Sequence, residues 1–408
     1  MKIKNEKLMK GDHIQVLREL LGLGVVDLYW FAGTGIMNST WKLTGEERER
    51  PILDPSLSIL VRFLSRYPEL SFMPKFPNFF ETFEKITQIY PTLFQNKKSK
   101  EKTSVRRFAP LFGKNSWSSP QWEAGESPSP VVLRLFYLVT KAIENEGIEG
   151  LKKYLAVVEE EAQGRGIDNN DILLSSGVWK TQTFRDKVNE MYGDSRQEGS
   201  NQQNKDGSDN NLMKGADIQA LRELLGLGVV DIYWLAGTGS TNNSWKLTGE
   251  ESERPILDPS LGILVRFLAK FPELSYMPRF PDFFETFEKI ARIYPGLFQN
   301  KKSKEKTSVR RFAPLFGKNS WSSSQWEAGE SPSAVVSRLF YLVMKAIEQE
   351  GEEGLKKYLA VVEEEAQTRG IKDMDSLLSS GVWRTKSFQA QVKIEYGEPI
   401  KRNAEKTD

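Results

Sequence analysis

Basic side chains are concentrated in one stretch of the sequence, where they could neutralise phosphate groups. Seven lysines and arginines accompany a single acid, Glu101, so the stretch has a local charge of about +6. They are Lys97, Lys98, Lys100, Lys102, Arg106, Arg107 and Lys114, and the same residues recur as Lys301, Lys302, Lys304, Lys306, Arg310, Arg311 and Lys318. Neutralising phosphates supplies most of the sequence-independent affinity for nucleic acid. We therefore expect these side chains to contact phosphates; the alternative is a solvated basic loop.

The residue types on which most enzymes depend are scarce. The chain has no cysteine and one histidine, His13, so thiolate chemistry, disulfides and cysteine-based metal sites are excluded. Gly33-Thr34-Gly35 lacks the glycine spacing and the lysine of a phosphate-binding loop. The carboxylate runs Glu46-Glu47 and Glu159-Glu160-Glu161 are interpreted as solvated helix faces. The sequence therefore predicts that the protein is not an enzyme and needs no cofactor or metal.

Composition and charge are typical of a soluble globular protein. Hydrophobic residues make up 39% of the chain and charged residues 27%. No apolar run approaches the ~20 residues that a membrane span needs, and Met1 to Lys10 lack the apolar core of a signal peptide. The net charge of +2 argues against a uniformly basic nucleic-acid coat, but not against basic residues confined to one face. We expect a cytoplasmic protein, most simply a bacterial one.

The chain is a tandem duplication in which position n matches position n+204 without a gap. Between Leu8 and Gly193, 146 of 186 positions are identical to their counterparts, about 78%. His13 itself is replaced by Asp217 in the second copy. Residues 195–210 contain no apolar side chain and predict a flexible linker spanning roughly 20–25 Å. The predicted divisions are a tail at 1–7, a first unit at 8–194, the linker, a second unit at 211–398 and a tail at 399–408.

Each copy has the spacing and punctuation of a helical domain. Asp54-Pro55 and Ser127-Pro128 each place a capping side chain before a proline, which is typical of a helix start. Aromatic residues between Phe76 and Phe94 are predicted to supply core material. No sustained alternation of apolar and polar residues indicates a strand. The expected fold is all-α, with two homologous helical units in tandem.

Two segments in the C-terminal half of each copy follow a helix-turn-helix plan. Ser104 to Gly113 reads as a second helix with Ala109 four residues before the turn glycine, although Pro110 lies within it. Lys114 to Gly125 reads as a third helix that ends in Trp-Glu-x-Gly, with Pro120 inside it. These segments, repeated from Ser308 to Gly329, resemble the Cro/C1-type (XRE-like) helix-turn-helix family. Leu17 to Gly45 is similar to that family more loosely.

The resemblance implies two helix-turn-helix modules per copy, at about 11–67 and 97–143 and again at about 215–271 and 301–347. Their partner would be double-stranded DNA, with base contacts from polar residues of each third helix. In the second module of each copy these candidates are Asn115, Ser116, Ser118, Ser119 and Gln121, with Asn319, Ser320, Ser322, Ser323 and Gln325. In the first module they are Asn38, Ser39, Thr40 and Lys42, with Asn242, Asn243, Ser244 and Lys246. The alternative is that these are soluble turn residues.

The copies differ at four of the five positions from Ile36 to Thr40, whereas Lys97 to Ser119 is unchanged in the second copy. If the first module contacts bases, the two copies should prefer different half-sites; drift at an exposed turn is the other explanation. The tryptophans are interpreted as core residues, with Trp117 as the exception because it lies midway along the expected recognition helix.

Together these observations predict a sequence-specific DNA-binding transcriptional regulator that acts as an intramolecular pseudo-dimer. Such a protein would be associated with the bacterial nucleoid and is typical of plasmids or other mobile elements. Another regulator subunit or RNA polymerase is a further candidate partner. Two alternatives remain: a protein–protein adaptor that uses helix-turn-helix modules for assembly, and a DNA-organising or conjugation accessory protein.

Overall fold

The secondary structure is helical in all parts of the chain that the structure describes. A computed structural model describes residues 8–33, 46–95, 103–192, 212–237, 246–299 and 308–396. Within those ranges the only β-type pairings are isolated bridges such as Lys10 with Pro51, and none extends into a strand. The prediction of an all-α fold is confirmed.

The α-helices occur at matching places in the two copies. In the first copy they are α1 Gly11–Leu20, α2 Val25–Phe31, α3 Pro55–Arg66, α4 Phe79–Ile89, α5 Ser118–Glu123, α6 Pro130–Glu146, α7 Ile148–Gly164, α8 Asn170–Ser176 and α9 Gln182–Tyr192. In the second copy they are α10 Gly215–Leu224, α11 Val229–Leu235, α12 Pro259–Lys270, α13 Phe283–Ile293, α14 Ser320–Glu327, α15 Ala334–Glu350, α16 Glu352–Thr368, α17 Met374–Ser380 and α18 Lys386–Tyr396. Short 3₁₀ turns join them at Glu46–Glu49, Pro68–Leu70, Val105–Arg107, Ala109–Phe112, Glu250–Glu253, Pro272–Leu274, Pro295–Phe298, Val309–Arg311 and Ala313–Phe316.

One of the two expected cap-and-proline starts is confirmed and the other is displaced. Asp54 caps α3 by accepting a hydrogen bond from the Ser56 amide at 3.0 Å, and Pro55 is the first helical residue. The helix expected after Ser127-Pro128 begins instead at Pro130, with Ser129 as its N-cap. Ser127-Pro128 and Ser129-Pro130 both place a serine before a proline, and proline is tolerated in the first helical turn because its missing amide needs no partner there. The sequence pattern therefore could not decide between these two helix starts.

The segment expected to form a continuous second helix, Ser104 to Gly113, forms two 3₁₀ turns. Val105–Arg107 and Ala109–Phe112 are the turns, and Gly113 ends the second one with a φ of +75°. Pro110 cannot donate a backbone hydrogen bond, so the ladder of an α-helix is interrupted there. Gly113 accepts the left-handed conformation at little cost. The turn glycine is therefore where the sequence placed it, but the helix before it is not an α-helix.

The chain divides into two compact units whose boundaries do not coincide with those of the two copies. One unit consists of Met1–Met73 together with Pro278–Asp408, and the other is the continuous stretch Pro74–Met277. Each unit thus combines the first third of one copy with the remainder of the other. We call 8–73 and 212–277 the N-terminal arms, and 74–192 and 278–396 the C-terminal bodies.

The discontinuous unit has its core where the arm helix α3 packs against the body helices α15 and α16. Ile59, Leu60, Phe63 and Leu64 of α3 are fully buried there, and the ring of Phe63 meets Tyr358 edge-on at 5.4 Å. The arm helix α2 adds Trp30, which is 2% exposed and lies beneath the guanidinium of Arg338 at 4.5 Å.

The continuous unit is assembled in the same way from the second arm and the first body. Helix α12 packs against α6 and α7, and the ring of Phe267 meets Tyr154 edge-on at 5.4 Å. Trp234 of α11 lies beneath the guanidinium of Arg134 at 4.8 Å. An aromatic cluster of Phe108, Phe112, Trp122 and Phe136 completes this core and fixes the turn and short helix that follow it.

A candidate nucleic-acid interface

The turn at Ala109–Phe112 and helix α5 are held together by one buried hydrogen bond. The Ser119 hydroxyl accepts from the Ala109 amide at 2.8 Å, and Ser119 is fully buried. Ser323 and Ala313 form the same bond at 2.8 Å in the second copy. This bond supplies a partner for an amide at the start of the 3₁₀ turn, where the helical ladder offers none. It orients α5 so that Trp122 faces the core.

A tryptophan at the start of this short helix is exposed in each copy. Trp117 is 68% exposed and Trp321 is 66% exposed. The guanidinium of Arg106, an exposed residue, lies 4.8 Å from the centre of the Trp117 ring, a distance at which a cation and an aromatic face attract each other. Gln121 is also exposed, one turn along α5. We call Arg106, Trp117 and Gln121, with Arg310, Trp321 and Gln325, the tryptophan surfaces.

The two tryptophan surfaces differ slightly because of a proline. Helix α14 begins at Ser320, two residues earlier than the matching start of α5 at Ser118. The second copy has Ser324 where the first has Pro120, so only in the second copy can this residue donate a hydrogen bond to the preceding turn. The expected interruption by Pro120 therefore shortens the helix rather than abolishing it.

Among the predicted phosphate contacts, two pairs of residues are engaged within the protein. Arg107 is buried and donates to Ser175 at 3.2 Å and Asp171 at 3.5 Å, and Arg311 makes the matching contacts with Ser379 at 3.2 Å and Asp375 at 2.9 Å. Lys114 pairs with Asp258 at 3.1 Å and Lys318 with Asp54 at 3.5 Å.

Arg106 and Arg310 are the predicted phosphate contacts that the structure describes as exposed. The lysines Lys97, Lys98, Lys100 and Lys102, with Lys301, Lys302, Lys304 and Lys306, lie outside the described residues.

The predicted base contacts separate into exposed, capping and buried residues. Ser119 and Ser323 are buried, which removes them from any surface that could touch DNA. Asn115 accepts from the Trp117 amide at 3.0 Å, and Asn319 caps α14 through the Ser322 amide at 3.1 Å. Ser118 and Ser322 are half-buried beside those caps.

Two further pairs of predicted base contacts lie in the second predicted module. Most of those in the first predicted module lie outside the described residues. Ser116 and Ser320 are half-buried against Gly177 and Gly381, so close that an added Cβ would meet each serine hydroxyl at 2.0 and 2.3 Å. Gln121 is exposed and Gln325 is half-buried. Lys246 is exposed. Asn38, Ser39, Thr40 and Lys42, with Asn242, Asn243 and Ser244, lie outside the described residues.

The interpretation of Glu159-Glu160-Glu161 as a solvated helix face is wrong for its last member. Glu161 is 1% exposed and lies between two arginines: one oxygen accepts from Arg165 Nε at 2.8 Å and the other from Arg266 Nε at 2.7 Å. Two signals in the sequence point to this burial. Glu161 and Arg165 are four residues apart on the face that carries Tyr154 and Val158, and Arg266 falls within an otherwise apolar helix.

The described ranges contain neither a membrane-spanning helix nor a metal-binding cluster of side chains. None of the helices in the described ranges is both long and apolar enough to cross a membrane. The same ranges contain no grouping of three or more His, Asp or Glu side chains placed to hold a metal ion.

Comparison with known proteins identifies no relative of this chain. No protein-family model matches the chain, and no match was found among curated proteins or solved structures.

Proposed function

We propose that the protein is a sequence-specific, double-stranded DNA-binding transcriptional regulator that uses one tryptophan surface in each compact unit. The observation that carries this proposal is the exposed Trp117 with the Arg106 guanidinium 4.8 Å from the centre of its ring. The second copy exposes the matching residues Trp321 and Arg310. An exposed tryptophan ring beside an arginine is a surface that can pack on a sugar of the duplex backbone while the cation meets a phosphate.

The sequence around each surface supports a polyanionic partner. Four lysines lie within ten residues before Arg106, and the same four precede Arg310. Arg107 and Lys114 are engaged inside the protein, so the charge available to DNA comes from Arg106 and these lysines. Gln121, which is exposed, and Gln325, which is half-buried, carry amides of the type that pairs with adenine. Phosphate contacts would position the protein and the glutamines would contribute to specificity.

Two such surfaces in one chain fit a two-part binding site. Because the surfaces belong to units joined covalently, binding of the first half-site would make binding of the second intramolecular. Affinity for paired half-sites would therefore exceed that for a single half-site by orders of magnitude.

The proposal is tested by selecting random duplex DNA with the purified full chain at physiological salt and then measuring affinity for the enriched sequence. Arg106→Ala with Arg310→Ala should weaken binding by roughly tenfold, which corresponds to about 1.4 kcal/mol. It should also reduce the slope of log affinity against log salt by roughly 2, since each lost phosphate contact contributes about 0.9.

A matched control removes two lysines of the same charge elsewhere on the protein. Lys152 and Lys356 are exposed and paired with Glu149 at 2.6 Å and Glu352 at 3.0 Å. Lys152→Ala with Lys356→Ala should leave affinity and salt slope unchanged. If selection enriches no sequence, or if both double variants weaken binding equally, specific DNA binding through the tryptophan surfaces is ruled out.

The exposed tryptophans also favour the second candidate, a protein–protein adaptor, because Trp and Arg are enriched at the energetic centres of protein interfaces. Substitution of Trp117 and Trp321 by alanine separates the two functions. An adaptor would lose a protein partner while showing only weak, salt-sensitive association with DNA of any sequence.

A further inference from the structure

Each N-terminal arm is bound by a C-terminal body of the other copy through a buried ion network. In the discontinuous unit, Glu365 accepts from Arg62 Nε at 2.7 Å and from Arg369 Nε at 2.7 Å. Arg62 and Glu365 are 5% and 1% exposed at their side chains. Glu364 extends the network to Arg62 at 2.8 Å and to Arg66. Both carboxylate oxygens and both guanidinium groups are thus paired, as burial of charge requires.

The start of helix α3 in the first arm is bound by a second group of contacts. Ser56 donates its hydroxyl hydrogen to the Phe316 carbonyl at 2.7 Å. The next residue of the body, Gly317, lies so close that an added Cβ would be 2.3 Å from the Ser56 amide nitrogen. Arg369 donates to the carbonyl oxygens of Ile52 at 3.0 Å and Leu53 at 3.2 Å. The body therefore recognises the backbone before α3 as well as its side chains.

The continuous unit contains the same contacts between the second arm and the first body. Glu161 joins Arg266 and Arg165, and Ser260 donates to the Phe112 carbonyl at 2.7 Å. Arg165 donates to the carbonyl oxygen of Ile256 at 2.8 Å. Most of the residues that make these contacts are identical in the two copies. The exceptions are Arg66, which is Lys270 in the second copy and still basic, and Ser58, which accepts from Arg369 at 3.2 Å and is replaced by Gly262, where an added Cβ would lie 2.4 Å from Glu161 Oε1.

The matching arm of a second molecule would make the same contacts with each body as the arm that the body already holds. The connection after each arm favours exchange, because Pro74 and Pro77, or Pro278 and Pro281, restrict the residues before them to extended conformations.

From these contacts we infer that each C-terminal body is a docking site for the N-terminal arm of a second copy of this chain, so that two molecules join by exchanging arms. Within one molecule the arms are held near the bodies at an effective concentration on the order of millimolar. Exchange between molecules is thus favoured at high protein concentration, or when arms are released and rebound.

The first experiment uses the full chain with two different affinity tags. The two proteins are mixed, unfolded in urea and refolded together at high and at low concentration. The expected product at high concentration is a particle of twice the 46.6 kDa chain mass that carries both tags. Its fraction should fall several-fold on dilution before refolding. Refolding to single-chain mass alone at every concentration overturns the inference.

A second experiment ties the double-mass particle to the arm contacts. One chain carries Arg66→Glu and Lys270→Glu in its arms, and the other carries Glu160→Lys and Glu364→Lys in its bodies. These side chains are partly exposed, so reversal is tolerated better than at Glu161 or Glu365. Each variant alone opposes like charges at 66/364 and 270/160, whereas a mixed pair that exchanges all four arms restores an unlike pair at each of these positions. Arg62 and Arg266 face the side chains introduced at 364 and 160 in either case, so they do not favour the variant alone over the mixed pair.

The mixture of the two variants should therefore give several-fold more mixed dimer than wild-type chains treated identically. A mixture that gives no more mixed dimer than wild type means that the arms do not cross between molecules, and the inference fails. Molar mass from light scattering after size-exclusion chromatography measures both outcomes.

Discussion

Glu161 and Glu365 are buried carboxylates that each join two arginines, one from the arm and one from the body of the same compact unit. Each is almost fully buried and each oxygen receives one guanidinium Nε–H, so neither arginine is left without its counter-charge. Removing one member of a buried ion pair leaves an uncompensated charge in the protein interior, which costs far more than an exposed pair contributes.

Replacing the buried carboxylate by its neutral amide is therefore expected to be strongly destabilising. Glu161→Gln should lower the free energy of unfolding by about 3–5 kcal/mol. Glu159→Gln, two residues away on the same helix and half-buried, should change it by less than about 0.5 kcal/mol. Urea denaturation followed by circular dichroism measures both, and equal effects of the two substitutions would contradict the assigned role of Glu161.

Two buried tyrosines provide a test that depends on pH. Burial raises the pKa of Tyr154 and of Tyr358 well above the ordinary value of 10.0. Their hydroxyls donate to the carbonyl oxygens of Leu111 at 2.9 Å and Leu315 at 3.0 Å. A raised pKa in the folded state means that the stabilisation is complete below the unfolded pKa of about 10 and is lost as the pH rises above it.

We expect two tyrosines to remain protonated until alkaline unfolding, and Tyr154→Phe with Tyr358→Phe to make stability depend less on pH above 10. Ultraviolet titration of tyrosinate, compared with unfolding monitored by circular dichroism, measures this. Complete ionisation of every tyrosine in protein that is still folded would show that these two are accessible.

The single histidine, His13, caps the start of a helix, as does the aspartate that replaces it in the second copy. His13 Nδ1 accepts from the Lys10 amide at 2.9 Å, and Asp217 accepts from the Lys214 amide at 2.7 Å. Both residues accept a backbone hydrogen bond there, which explains why histidine and aspartate replace each other.

The burial of Glu161 was not predicted because a run of three glutamates is solvated in most proteins, and only its partners from another segment reverse that preference.

At the scale of elements, the sequence predicted helices where the apolar spacing was regular, and it was wrong where proline and glycine determine the backbone. Helix α3 begins at the predicted Asp54-Pro55, whereas Ser104–Gly113 forms 3₁₀ turns. Spacing in the sequence does not distinguish an α-helix from successive 3₁₀ turns in so short a segment. Trp117 is exposed, as its position midway along the expected recognition helix predicted. The Ser119 hydrogen bond that orients α5 beside it is a contact that spacing cannot reveal.

The turn glycines have a second role, in contact with the other copy. An added Cβ at Gly113 would lie 2.3 Å from the Ser260 amide nitrogen at the start of α12, in addition to the positive φ. Gly226 has a similar φ of +63° but no atom within 4 Å of the added Cβ. The two positions therefore separate the cost of the backbone conformation from the cost of a displaced helix.

We expect Gly226→Ala to cost about 1–2 kcal/mol, the ordinary penalty for a left-handed alanine. Gly113→Ala should cost at least about 2 kcal/mol more, because α12 must move and the Ser260 bond to Phe112 is lost. Thermal and urea denaturation of both variants measures the difference. Equal destabilisation would mean that α12 does not approach the turn this closely.

At the scale of the whole molecule, the duplication was evident from the sequence but the pairing of its parts was not. Most of the residues that join arm to body are the same in both copies, so the sequence pattern does not distinguish a copy closed on itself from a copy that exchanges its arm. The compact units combine Met1–Met73 with Pro278–Asp408 and leave Pro74–Met277 as the other unit. Residues 195–210 are thus a covalent connection between two halves that already share both units.

Cutting that connection in the folded protein distinguishes exchange from self-closure. With a protease site placed in 195–210, the two fragments of the cleaved chain should stay together as one particle of about 46.6 kDa in the absence of denaturant. Each fragment contributes to both units, so separation would expose Leu60, Phe63 and their counterparts in α12 to water. Urea should separate the fragments, which shows that cleavage is complete. Fragments that part without denaturant, each folded and of half the mass, would mean that each copy closes on itself and that the arms are not exchanged.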